Sequence, residues 1–324
     1  MEGAYYNGQY LNRLERLGYS QAEIDNKLES TFEEMFYGPE GVRLCHCAGP
    51  DMMYIEDTGN HDVRTEGMSY AMMFCVQMNR QKEFDCLWRW VVTHMYLTEG
   101  ENAGYFAWSC HTDGSKNSDG PAPDGEEFFA MSLFFAANRW GSGEGVLDYA
   151  SWARRILHAC VHKGEEAGSG FPMWNPENHL IKFIPNCEFT DPSYHLPHFY
   201  ELFALWSDEC DRPFWHAAAA ASRQYLRKAC HARTGLSAEY AEYDGRPHRG
   251  DQPDRHDWFF SDAYRTLGNI ALDAQWFGDK DGWAQETAAH IQQFFEEKEH
   301  GQTNGIYLID GTPVEGNALH PVGL

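Results

Sequence analysis

YFAWSCHTDGSKNSDGPAPDGEEFFAMSLFFAANRWG, residues 105–141, sets a long loop of Gly, Pro, Asp and Asn directly before an apolar stretch that reads as a helix over 125–140. A long loop inside a compact chain is usually functional or disordered, and this one carries Trp108 and several carboxylates, which favours function. The same loop-then-helix arrangement recurs outward in both directions. Ser20 is placed to cap QAEIDNKLESTFEEMF, where Ile24, Leu28, Phe32 and Phe36 repeat every four residues. Further helices are expected over 66–78, 83–96, 147–161, 196–206, 213–229, 261–277 and 282–297, nine in all. GIYLIDGTPVE at 305–315 reads as a short hairpin. Strands do not alternate with these helices, which excludes a doubly wound sheet or a TIM barrel.

No linker-like change in composition divides the chain, so one all-α domain over 1–324 is expected. No short repeat of fixed period supports a solenoid. A closed ring of helical hairpins is the arrangement that gathers the long loops 97–124 and 162–195 at one rim as a cleft.

Composition bounds the partners. Forty-nine acidic residues against 25 basic ones give a formal net charge of −24, and aromatics make up 15% of the chain. A body this acidic repels nucleic acid and anionic membrane surfaces, so neither is expected as a partner. Abundant aromatics suit an uncharged amphipathic ligand such as a sugar. The opening residues MEGAYYNGQYLNRLERLGYS carry no signal-peptide pattern, and no stretch approaches the roughly 18 apolar residues of a membrane span. The nine cysteines are odd in number and lack framework spacing, as in reduced thiols. These features together predict a cytoplasmic protein.

Polar and aromatic residues concentrate where four apolar helices begin: DTGNHDVRTEGMSYAMMF (57–74), the stretch 105–141, EFTDPSYHLPHFYELF (188–203) and FFSDAYRTLGNIALD (259–273). Glu66 opens the first helix, and Asp262 directly follows Ser261, a candidate cap. Acids in a first helical turn are favoured by the helix dipole without any further role, so their position alone assigns nothing. Trp108 and Trp174 lie on the long loops, with Tyr105 just before the former, and are candidate sugar platforms. Trp88, Trp90 and Trp276 fall on helical periods and read as core. Arg64 stands two residues before Glu66, where it can orient that acid, touch substrate or form a structural ion pair. His158 and His162 have helical metal-ligand spacing but lack the Glu of a zinc-protease motif, and C-H-C at 45–47 has no second ligand pair. No metal or cofactor is expected.

In DVRTEGMSY, AGYFAWS, GPAPDGEEFFA, DPSYHLPHFYELF, FFSDAYR and LHPVGL the chain resembles glycoside hydrolase family 8, and within it the reducing-end xylose-releasing exo-oligoxylanases. The resemblance runs from Gly3 to the last residue. It implies an (α/α)6 barrel that hydrolyses a β-1,4 glycosidic bond with inversion and without metal or organic cofactor. By motif, Glu66 matches the general acid and Asp262 the general base. Tyr194 matches a tyrosine that holds the attacking water, and Asp124 an acid that binds the sugar at the cleavage point. The broader family has Ser or Thr where Pro123 stands and Asp where Glu126 stands; both departures agree with the subgroup. LHPVGL matches a loop that closes the cleft beyond the first reducing-end sugar, with His320 contacting the anomeric hydroxyl. The implied substrate is a xylo-oligosaccharide, cleaved to release xylose from its reducing end.

Two expectations temper this. A helix N-terminus favours the charged form of an acid, whereas a proton donor must stay protonated, so burial or a second carboxylate such as Asp124 has to outweigh the dipole at Glu66. The family barrel has twelve helices and nine are read here, so the ring is expected to lack its last helices as a C-terminally truncated domain. Such a ring would suit a catalytically impaired carbohydrate-binding protein, the first alternative. The second is another toroid enzyme acting on β-1,4-glycans, an endoglucanase or a lyase.

Overall fold

The computed structural model describes residues 2–165, 169–250 and 255–317. The chain gathers into two compact units, residues 10–171 and residues 1–9 with 172–324. All nine expected helices are present among the described residues. In the 10–171 unit these are α3 (Gln21–Tyr37), α4 (Thr65–Gln77), α5 (Gln81–Trp90), α6 (Pro123–Trp140) and α7 (Tyr149–His162), after a single turn α2 (Arg13–Arg16). The other unit holds α8 (Pro197–Trp206), α9 (Arg212–Ala229), α10 (Arg265–Phe277) and α11 (Trp283–Glu299), with a single turn α1 (Ala4–Asn7) against α10.

Within each unit consecutive helices pack as hairpins, α4 on α5, α6 on α7, α8 on α9 and α10 on α11; α4 also packs on α6, and α8 on α10. The partners differ in kind. In α4 and α6 buried residues occur on nearly every side, including Met68, Ala71, Met72, Met73, Cys75 and Val76 of α4. That is the pattern of a helix enclosed by protein. By contrast, α7 buries a single stripe through Ala153, Ile156, Leu157, Cys160 and Val161.

Local chemistry sets the ends. Ser20 accepts from the Glu23 backbone while Glu23 reaches back to the Ser20 N–H at 2.8 Å, the capping box that starts α3. Pro123 occupies the first turn of α6, where its missing N–H would have no helical partner. Arg223 of α9 ties α10 through a two-pronged contact with Asp273, Nε to Oδ2 at 2.8 Å and Nη2 to Oδ1 at 2.7 Å.

Two short antiparallel ladders are present that the residue pattern does not signal. β1 (Cys45–Cys47) pairs with β2 (Met53–Ile55), and β3 (Asp62–Arg64) with β4 (Ser109–His111). Three-residue strands are too short for alternation to register as a period. The C-H-C segment is thus a strand, with His46 Nε2 3.2 Å from Glu56. The expected hairpin near the C-terminal end is β5 (Gly305–Tyr307) with β6 (Pro313–Asn317).

Candidate active site

In the 10–171 unit the β3–β4 ladder builds the surroundings of Glu66. Its register sets Arg64 opposite Ser109, and the Thr65 N–H donates to the Trp108 carbonyl at 3.0 Å. The loop bearing Trp108 is therefore bonded to the first residue of α4. Glu66, half-buried in the first turn, accepts from the Thr65 hydroxyl at 3.3 Å. Arg64 is held elsewhere: its Nε lies 3.0 Å from Asp62 Oδ1 and 3.6 Å from Asp57, and its guanidinium stands 5.1 Å from the centre of the Trp108 ring. Ser109 completes the brace, donating to Asp62 at 2.8 Å. Of the three roles open to Arg64, the structural ion pair is present, and it stiffens the half-exposed Trp108 from behind.

Asp124 reaches the same helix start through a backbone requirement. A Cβ on Gly125 would sit 2.4 Å from Cβ of Thr65, far inside contact distance, so only glycine lets α6 begin against the start of α4. Asp124 is buried at 3% exposure beside it. Glu126, 1% exposed, accepts from the Phe106 N–H at 2.9 Å and so pins the 105–109 loop to α6. Burial, reinforced by the nearby Asp124 charge, pushes the Glu126 carboxyl well above the usual range.

The second unit presents Tyr194 and Asp262. Tyr194 ends a 3-10 turn, Pro192–Tyr194, that Asp191 opens by accepting from the Ser193 N–H at 2.7 Å; Asn269 of α10 holds the Ser193 carbonyl at 2.7 Å. Asp262 lies in the 3-10 turn Ser261–Tyr264 that leads into α10, and the two turns pack together. Arg265 joins them: its Nη2 is 3.1 Å from Asp262 Oδ2, and its guanidinium lies over the Tyr194 ring at 5.6 Å. The Asp262 side chain keeps 42% of its surface open. Deeper in, burial holds Asp191 well above the usual carboxylate range, with the Asp262 charge adding to the effect and Arg265 opposing it. Glu239 is pushed up to about 8, first by burial and then by the Asp262 charge.

Two expected platforms are displaced by packing. Tyr105 is 1% exposed, and its hydroxyl lies within donating distance of the carbonyls of Ala159 at 3.0 Å and Phe171 at 2.9 Å, so it braces a loop and offers no open face. Trp174, also 1% exposed, packs edge-on against Tyr200 and Trp215 in the α8–α9 core. Loop placement suggested exposure for both, but large aromatic rings gain most by burial, and these loops fold back onto helices. His320 lies outside the described residues. Arg265, Asp191 and Glu239 were not singled out from sequence. Of these only Arg265 carried a signal, the three-residue spacing from Asp262 that suits an ion pair.

The 10–171 unit thus sets carboxyls at the starts of α4 and α6 and a braced, half-exposed tryptophan on the adjoining loop, while the other unit sets an open carboxylate against an arginine. Within each unit these are residue types suited to acid–base chemistry on an uncharged ligand. The family model of glycosyl hydrolases family 8 matches residues 19–318, and the chain belongs to that family. It is 55% identical over 324 residues to the reducing end xylose-releasing exo-oligoxylanase of Halalkalibacterium halodurans, covering 100% of this chain and 82% of that protein. It is likewise 55% identical to the reducing-end xylose-releasing exo-oligoxylanase Rex8A of Paenibacillus barcinonensis over 100% of this chain and 84% of that protein. The structure of Rex8A complexed with xylose superposes with a TM-score of 0.95 at 54% identity, covering 98% of this chain and 84% of that one. The fold is accordingly the family's all-α toroid, the (α/α)6 barrel expected from the sequence.

Proposed function

We propose that this glycoside hydrolase releases xylose from the reducing end of β-1,4-xylo-oligosaccharides with inversion, using Glu66 as general acid and Asp262 as general base. The observation that carries the assignment is Asp262, open to solvent on one side, ion-paired with Arg265, and linked through that arginine to Tyr194. A base has to reach water, and the Asp262 carboxylate is held by Arg265 at 3.1 Å while 42% of its side chain stays open. Glu66 is half-buried in the first turn of α4, whose start meets the start of α6 that carries the buried Asp124.

In the inverting reaction Asp262 takes a proton from water as the water oxygen bonds to the anomeric carbon. The bond from that carbon to the glycosidic oxygen breaks, and Glu66 delivers its proton to the departing oxygen. Carboxyls about 6.5–9.5 Å apart leave room for the water in such enzymes. Tyr194 helps to hold that water, and Asp124 binds the sugar at the cleavage point. Trp108, stiffened by Arg64, is a stacking face for a sugar ring. His320 contacts the anomeric hydroxyl of the single leaving sugar. The names of the relatives, each a reducing-end xylose-releasing exo-oligoxylanase, support xylo-oligosaccharide as substrate. A family match running through both compact units supports one catalytic domain. Nine free cysteines suit a cytoplasmic site of action. Among the described residues no helix is long and apolar enough to cross a membrane.

The test is incubation with xylotriose, with products followed by chromatography and anomers by NMR. Xylose from the reducing end and an α-anomer formed first on the newly cleaved product are expected. Glu66→Ala and Asp262→Asn should each lower kcat by about 100- to 10,000-fold with the fold retained. A product absorbing in the ultraviolet would indicate a lyase, and preferential internal cleavage of cello-oligosaccharides an endoglucanase. Binding without turnover by the folded protein would overturn the hydrolase assignment.

A further inference from the structure

Ser261, immediately before Asp262, has φ = 47°, a left-handed conformation that a residue with a Cβ adopts only when its surroundings impose it. Its hydroxyl hydrogen-bonds the side chain of Glu239, a residue only 7% exposed on the LSAEYAEY segment. That carboxyl is itself held from the far side, with His256 Nδ1 2.8 Å from Oε2. The backbone of the segment is fixed too. The Glu239 N–H donates to the Trp258 carbonyl at 2.8 Å, and the Tyr240 N–H to the His256 carbonyl at 2.9 Å, while the Tyr240 and His256 rings stack at 4.2 Å.

We propose that Glu239 is a positioning residue for Asp262: fixed by His256, its carboxyl anchors the Ser261 hydroxyl and so imposes the left-handed turn that presents the Asp262 carboxylate. Beside an aspartate that must remain charged, a second full charge would be an awkward neighbour. Burial resolves this by holding Glu239 protonated through neutral pH, so the anchor acts as a neutral hydrogen-bonding group. Arg265, the cation facing both acids, then serves Asp262 directly. The role needs no contact with substrate, which the deep burial of Glu239 suits.

This rests on the reading of Asp262 as the base, and the experiment separates the two. Steady-state hydrolysis of xylotriose is measured for the wild type, Glu239→Ala, Glu239→Gln, Ser261→Ala and Asp262→Asn, with the fold of each checked by circular dichroism. Misplacing the base should lower kcat about 10- to 100-fold in Glu239→Ala while KM stays within about two-fold. Glu239→Gln, which keeps the shape and an acceptor for Ser261, should recover most of that loss. Ser261→Ala removes only the hydroxyl, so it gives the answer even if Glu239→Ala does not fold; a fall in kcat alone is expected. Unchanged kcat in Ser261→Ala, or a rise in KM without loss of kcat in Glu239→Ala, would overturn the positioning role while an inactive Asp262→Asn left the base reading intact. Full activity in Asp262→Asn would instead overturn the base reading itself.

Discussion

Trp108 shows how one loop side chain is held in place. A bare indole on a loop would be mobile, and ordering it on binding would oppose affinity. Here Arg64 lies behind the ring, Asp62 and Asp57 hold Arg64, Ser109 holds Asp62, and the Trp108 carbonyl is bonded to Thr65. Trp108→Ala should therefore raise KM for xylo-oligosaccharides by about 10-fold, the equivalent of about 1.4 kcal/mol of lost stacking, with a smaller change in kcat. Steady-state kinetics decides it, and an unchanged KM would show that no sugar rests on this ring. Tyr105 and Trp174 make the contrast: both were expected as platforms from their loops, and both are enclosed in cores.

At the scale of elements, the contact between the starts of α4 and α6 holds the proposed acid Glu66 and the proposed sugar-binding Asp124 on adjoining helices. It exists because Gly125 has no side chain where Thr65 stands, which brings the first turns bearing Glu66 and Asp124 together. Gly125→Ala would put a methyl carbon 2.4 Å from Cβ of Thr65 and 2.5 Å from its hydroxyl, so one helix start must shift. Overpacking of this kind costs about 1–3 kcal/mol, and a displaced helix start would misalign the proposed acid Glu66. The expected outcome is a lower Tm together with at least a 10-fold loss in kcat, about what a misalignment of this size produces. Thermal unfolding and xylotriose hydrolysis read the two effects separately, and normal activity at normal Tm would refute the argument. Helix positions were legible because apolar residues repeat at helical spacing, and some of these stretches are bounded by caps and breakers, as α3 is by Ser20 and α6 by Pro123 and Gly141. The short ladders were not, yet β3–β4 is what binds the Trp108 loop to α4.

For the whole molecule, buried titratable groups set the pH range of stability. Burial pushes His195 and His198 down to about 3 from 6.5, so between these values the unfolded chain binds protons that the folded one refuses. Their contribution is complete above 6.5 and is lost as pH falls toward 3. Glu239 acts oppositely, with its carboxyl raised from 4.5 to about 8: the folded state holds a proton that the unfolded state gives up, and that contribution fades as pH rises through this interval. Above 6.5 the histidines no longer offset it, so Tm should fall between about pH 6.5 and 8, and Glu239→Gln should flatten the fall. Calorimetric scans across this interval check the sign; a rising Tm would contradict it.

The residue sequence alone determined the all-α class, the helix spans, the acidic and aromatic character, and the motifs around Glu66, Asp124, Tyr194 and Asp262. The class, the spans and the overall character follow from local spacing and composition, and the motifs were carried by their resemblance to glycoside hydrolase family 8; a linear chain displays both in full. Only the tertiary structure decided which aromatics are open, that Arg64 braces Trp108, that Arg265 joins Tyr194 to Asp262, and that Glu239 lies behind Ser261. Each of these pairs residues that are distant in sequence or whose burial is set by neighbours from other elements. Burial and long-range contact are properties of the packed chain, and no local period records them.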